Sequence, residues 1–284
     1  MNGIRAYMVG LMAAVKQLKI VLLIYVSNLL LGVFCVLPVK SFLEGKIGQS
    51  LSLKESLPQF DFTFLIDVLN NFGDGMSVLL NQSVFVIGIY LLLFVFWTGG
   101  IVYGITSQKT DWKSFWEGCY RFFFRLLRLT VFYLIIHGLL LFLFFQLFQF
   151  FSGGLSPFAL NTDNDWTKAF WLLIPFYGLF FLLVTMIHDA AKVEMVGNDR
   201  RSVFLTSGAA FIKVFRNIFS FLLFYFLFLL TLCGGIALCS FLNSKLGGSQ
   251  YWGIVLLFVI SQILILFRIK MKVVKYGAVC EMTD

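Results

Sequence analysis

Six apolar runs, at residues 20–37, 84–105, 129–151, 169–187, 218–242 and 252–267, constrain this chain more than any other feature. A hydrocarbon core of roughly 30 Å is crossed by about 20 apolar residues in helical form. The runs therefore predict an all-α, polytopic integral membrane protein with six transmembrane helices, forming a single membrane domain over 1–284. Composition agrees: 60% of residues are hydrophobic, 13% are charged and the mean hydropathy is +0.92, where a soluble domain carries about 25% charged residues. The first run lacks a small-x-small cleavage site, so it reads as a retained anchor, not a signal peptide.

Charge sets the expected orientation. If both termini and the elbows 106–128 and 188–217 share one side, that side holds 17 basic and 7 acidic residues, or +10; the other holds 5 and 7, or −2. Loops rich in Lys and Arg stay cytosolic, so both termini are expected in the cytosol. The net +8 is thereby explained by topology, without nucleic acid. The five cysteines form no CxxC or other ligand spacing, which argues against zinc and against a disulfide framework. No cofactor or metal is expected.

The connections carry further signals. Residues 38–82 space Phe64, Leu65, Val68, Leu69 and Phe72 as an amphipathic helix would, and Gly73-Asp74-Gly75 is expected to end it. Interfacial amphipathic helices are expected before crossings 1, 3 and 5. Their apolar stripes are Tyr7, Met8, Leu11, Ala14, Val15 and Leu18; Phe115, Trp116, Cys119, Phe122, Phe123 and Leu126; and Phe204, Leu205, Gly208, Phe211, Ile212 and Phe215. The stripes match at offsets of 108 and 89, which suggests three repeated hairpin units, although any amphipathic helix shares such spacing.

Few residues suggest chemistry. Lys113, Glu117, Arg121, Arg125 and Arg128 line one face of the second elbow helix. The three arginines, with Arg200, Arg201, Lys213 and Arg216 in the next elbow, are candidates for contact with anionic lipid headgroups or with another membrane protein. Snorkelling cations that only fix topology would look the same. In the segment His188–Arg216, Asp189 and Lys192 stand one turn apart as a structural ion pair, and Asp189 can also reach Arg121, Arg125 or Arg128. Gly197 is the expected C′ residue and Asp199 the expected N-cap of the following helix. Arg200 and Arg201 would then oppose that helix's dipole unless Glu194, Asp199, a lipid or a partner offsets them. The crossings contain no carboxylate, Lys or Arg, which weighs against an ion-coupled transporter. His137, eight residues into the third crossing, is a possible intramembrane polar site or an interhelical hydrogen bond. No HExxH, GxSxG or Walker signature appears.

Gly99-Gly100, FWEGCYRFFFRLLRL at 115–129 and Asp189-Ala190-Ala191-Lys192 resemble a loose group of bacterial six-helix inner-membrane proteins with a D-x-A-[KR] segment after the fourth helix. That group is similar to the membrane domain of some glycerophosphodiester phosphodiesterases, whose catalytic domain has no counterpart here. The resemblance implies this fold, the bacterial inner membrane, and lipid or envelope physiology. The leading expectation is a non-enzymatic envelope protein in a lipid-handling, transport-related or assembly role. A small-solute transporter or channel between the hairpin repeats is the first alternative and an intramembrane enzyme the second.

Overall fold

A backbone in lipid satisfies its polar groups within its own helix, and among the described residues every element is helical. The computed structural model describes residues 3–46, 73–109, 111–151, 163–246 and 251–283. In chain order the helices are α1 (Gly3–Lys16), α2 (Leu18–Lys46), α3 (Gly73–Thr106), α4 (Trp112–Phe151), α5 (Asp163–Gly197), α6 (Val203–Arg216), α7 (Ile218–Leu246) and α8 (Tyr251–Thr283). Five of them, α2, α3, α4, α5 and α7, contain stretches long and apolar enough to cross a membrane. The protein is thus an all-helical, multi-pass membrane protein.

Helix boundaries depart from the apolar runs. Helix α2 continues through Pro38 to Lys46, and Gly73-Asp74-Gly75 opens α3 where a break was expected. Helix α4 is unbroken over 40 residues, about 60 Å at 1.5 Å per residue, so the third crossing has no separate helix before it. It starts at Asp111, whose carboxylate accepts hydrogen bonds from the Ser114 N–H (3.2 Å) and hydroxyl (2.9 Å). These bonds hold the Asp111 carboxyl below its ordinary range. The stripe proposed within 47–72, and the loops 152–162 and 247–250, lie outside the described residues.

Two compact units make up the chain: residues 1–21 with 95–284, and residues 22–94. The smaller contains most of α2 and the first part of α3; within it the Tyr90 and Phe94 rings lie 6.3 Å apart. The larger is built on a repeated arrangement. Helices α1 and α6 have the same length and lie 200 residues apart. Each ends at one polar residue, Gln17 or Asn217, whose carbonyl accepts from two N–H groups of the next helix: Ile20 and Val21, or Ser220 and Phe221.

Burial carries the same register. Ala6, Gly10 and Ala14 are buried on α1, and Thr206, Ala210 and Val214 on α6; Ser114, Gly118 and Phe122 are their counterparts on α4. The offsets are therefore 108 and 92, not 108 and 89. The expected stripes were not equivalent: Phe115, Cys119, Phe122 and Leu126 face inward on α4, whereas Phe204, Leu205, Phe211, Ile212 and Phe215 face outward on α6. A periodic apolar stripe identifies a face but not its neighbour. In lipid both faces can be apolar, and small residues mark the one that meets protein.

Each small face packs on the end of another helix where two small residues adjoin. Gly99-Gly100 of α3 meets α4 so closely that a Cβ on Gly99 would lie 2.9 Å from the Gly118 carbonyl oxygen. Ala190-Ala191 are fully buried in α5, and α5 packs on α6. Gly277-Ala278 of α8 meets α1, where a Cβ on Gly10 would overlap the Val274 carbonyl oxygen. The third such pairing is thus formed by α1 and α8, the first and last helices among the described residues. Replacing Gly10 by Ala forces backbones apart and is expected to destabilise the protein by about 1–3 kcal/mol. Gly208→Ala, with open space around the added methyl, should be neutral or stabilising by up to about 1 kcal/mol. Unfolding in mixed micelles distinguishes them; equal effects would refute the close-packing account.

Candidate functional site

The ends of α3, α5 and α8 each present a stripe of residues one turn apart: Thr98, Val102 and Thr106; Asp189, Val193 and Gly197; Tyr276, Cys280 and Thr283. The first members come together inside the larger unit. Thr98 hydrogen-bonds the Tyr276 hydroxyl, and burial pushes that phenol up to about 12, so it stays protonated. Lys192 Nζ lies 3.5 Å from the same hydroxyl.

Asp189 is the centre of this cluster and is only 1% exposed. Its Oδ1 lies 3.2 Å from Lys192 Nζ. Its Oδ2 lies 2.8 Å from Lys275 Nζ and accepts the Tyr225 hydroxyl at 2.8 Å. One carboxylate thereby ties α5 to α7 and α8. Three donors thus occupy most of the acceptor sites of its two oxygens. Two ammonium groups against one carboxylate leave the cluster positive. Removing the carboxylate would strand both lysines, and breaking a buried pair costs about 3–5 kcal/mol.

One turn further, Glu194 is 3% exposed and surrounded by donors: Lys213 at 2.6 Å, Asn198 at 2.7 Å and Arg200 at 3.1 Å. It joins α5 to α6. The connection between these helices differs from the expected caps. Gly197 is the last helical residue, and Asp199 takes the left-handed C′ conformation with φ 50°. The Arg200 N–H donates to the Met195 carbonyl (3.1 Å) and the Asp199 N–H to that of Val196 (3.4 Å), the Schellman pattern. Ser202, not Asp199, caps α6, accepting from the Leu205 N–H. Arg200 and Arg201 therefore precede α6 and do not oppose its dipole from within its first turn.

Freed from capping, the Asp199 carboxylate reaches α4, where it takes Arg121 at 2.8 Å and Arg125 at 2.5 Å. These arginines face Asp199 and not Asp189. They hold the Asp199 carboxyl below its ordinary range, the Arg125 hydrogen bond being the larger cause. Arg128, Arg201 and Arg216 are exposed.

His137 packs on Phe181, with ring centroids 4.8 Å apart, and its buried Nδ1 has no hydrogen-bond partner among the described residues. His188 stacks on Tyr133 at 4.4 Å. No three His, Cys, Asp or Glu side chains gather where they could hold a metal among the described residues. Lys275 and Thr98 stand out in the sequence only as a cytosolic cation and a polar residue within a crossing, and Tyr225 and Tyr276 not at all. A usable signal was present: Thr98-Gly99-Gly100, Asp189-Ala190-Ala191 and Tyr276-Gly277-Ala278 each place a polar residue before two small ones at a helix end. Compared with protein-family models, curated proteins and solved structures, the chain matches none.

Two outcomes follow from the ion pairs. Asp189→Leu should destabilise the protein by about 3–5 kcal/mol, and adding Lys275→Met should recover part of that loss; no recovery would mean that charge is not the cause. For Asp199, a depressed folded-state pKa means that its contribution is present above the ordinary aspartate range and lost as pH falls through the lowered value. Amide exchange at 197–203 should therefore stay slow through the pH range in which ordinary carboxylates protonate. It should speed up in Asp199→Gly, although glycine eases the positive φ. Slower exchange in that variant would overturn the clamp.

Proposed function

We propose that this protein is a non-enzymatic membrane protein of the bacterial inner membrane that holds anionic lipid at its cytosolic rim. It crosses six times, the sixth at 252–267 of α8, with both termini in the cytosol. The charge asymmetry of the sequence supports the orientation. One observation carries the lipid reading: the helices next to the crossings turn bulky apolar side chains outward, beside cations. On α6, Phe204 is 73% exposed and Ile212 65%; on α1, Met12 is 63% exposed; on α4, Trp116, Tyr120 and Phe124 form an outward aromatic ridge.

A helix with its small face on protein and its large apolar face outward is suited to lie at the acyl–headgroup boundary. Lys16, Arg128 and Arg216, exposed near the ends of these faces, then stand at headgroup level, each worth about 1 kcal/mol toward anionic lipid. Arg121 and Arg125, already engaged by Asp199, contribute less. Lipid handling and assembly with other membrane proteins are both served by such a rim. The resemblance to bacterial six-helix inner-membrane proteins points to the same physiology.

Native mass spectrometry of the purified protein tests the proposal. Anionic phospholipid should be retained in excess over its share of the membrane, and Lys16→Gln, Arg128→Gln and Arg216→Gln together should remove that excess. Retention of lipids in membrane proportions, unchanged in the triple variant, would sink it.

A further inference from the structure

The stripes that begin at Thr98, Asp189 and Tyr276 end at Thr106, Gly197 and Thr283, the last residues of α3, α5 and α8. These end residues line one partly open cavity of about 340 Å³, with Lys213 and Asn198 on one wall and Val193 and Cys280 on another. We propose that this cavity is a binding site for a small organic monoanion, a short-chain carboxylate.

The walls offer donors. Glu194, also in the lining, is saturated by Lys213, Asn198 and Arg200. It takes one N–H each from the Lys213 ammonium and the Asn198 amide. Two further N–H groups of the ammonium and one of the amide can turn to a guest. A carboxylate meeting an ammonium makes the stronger, charge-assisted kind of hydrogen bond. The Thr106 and Thr283 hydroxyls now donate to carbonyls of their own helices at 3.0–3.2 Å, and a hydroxyl proton rotates to suit its acceptor.

Charge decides the sign. Glu194 against Lys213 and Arg200 leaves one positive unit at the wall. Lys192 and Lys275 against Asp189 leave a second, about two turns back along α5. The neighbouring carboxylates bring no surplus: Asp199 is held by Arg121 and Arg125, and Glu281 lies 3.7 Å from Arg5. Three helix C-termini alone would favour a cation, but that field resides on unsatisfied carbonyls. Here Glu194, Met195 and Val196 accept from the N–H groups of Asn198, Arg200 and Asp199, and Tyr103 and Ile105 from those of Ser107 and Gln108. Full charges therefore outweigh capped dipoles. One positive unit at the wall matches a monoanion. The volume, that of the smaller ligand pockets at about 300 Å³ and upward, is far more than a bare halide fills. With its carboxylate at Lys213 and Asn198, the guest lays its alkyl part on Val193 and Cys280.

The test uses the full chain in non-ionic detergent, with sodium propionate as probe and propylammonium chloride and propanol as controls of equal size. Propionate alone should raise the unfolding temperature with saturation. Gly197→Leu should abolish that rise. A Cβ there lies no closer than 3.7 Å to Thr106 Cγ2, so the side chain fills the mouth without a backbone clash. Lys16→Gln, Arg128→Gln and Arg216→Gln together should leave the rise unchanged, which separates this site from the lipid rim. A second measurement needs no variant and decides the matter if the leucine chain does not fold. A sulfonate-bearing thiol reagent should modify Cys280 several-fold faster than a trimethylammonium one, each rate scaled to that on free cysteine and read by peptide mass, because a positive potential concentrates anions. Propionate should slow that modification. Stabilisation by either control as well as propionate, no saturable response, a rise that survives Gly197→Leu or disappears with the rim cations, or faster modification by the cationic reagent would each overturn the proposal.

Discussion

In lipid, an apolar side chain gains little by leaving acyl chains for another helix, so association rests on close backbone approach and on polar contacts. The larger unit follows from that constraint. Gly10 against Val274, Gly99 against Gly118, and Gly277 against Gly10 and Ala13 leave no room for a side chain. Where helices need close contact the sequence provides small residues, and the bulky ones are displaced to the other face. The outward Phe and Met side chains on α1 and α6 are the geometric counterpart of inward Gly and Ala.

Polar contacts then fix what close packing alone leaves free to slide. Helices that meet through glycine and alanine have smooth surfaces with little to define their axial position. The Asp189 cluster defines it for α5, α7 and α8, and Glu194 does so for α5 and α6. Both carboxylates stand within the last three turns of α5. Exposure separates the ion pairs by worth: Asp189 is buried and its loss strands two lysines, whereas Asp199, nearly half exposed, acts in a medium that screens it.

The class of fold was legible because lipid imposes a length and a hydropathy that apolar runs display directly. The register of the repeat was not. Phe115 and Phe204 sit in similar stripes, yet one is buried and the other exposed, because hydropathy does not distinguish a lipid-facing face from a protein-facing one. The small residues at Gly10, Gly118 and Ala210 held that information. Caps were misassigned for a related reason. Asp199 is a good N-cap residue type, but aspartate also tolerates the left-handed conformation, and Ser202 was available three residues later. Lys192, one turn from Asp189, was legible as its partner; the other two partners required tertiary structure, since Lys275 and Tyr225 lie on helices whose approach no local pattern specifies.

The pairing of α1 with α8 has a consequence for how the molecule comes to exist. Its two halves, α1 and α8, are separated by more than 230 residues of chain. A chain emerging at about 5–20 residues per second leaves the glycine face of α1 without its partner until α8 has been threaded. The units α3–α4 and α5–α6, by contrast, pair neighbours in the chain. Among these helices, assembly is therefore a relay of local closures followed by one long-range closure, and α1 waits longest for its partner.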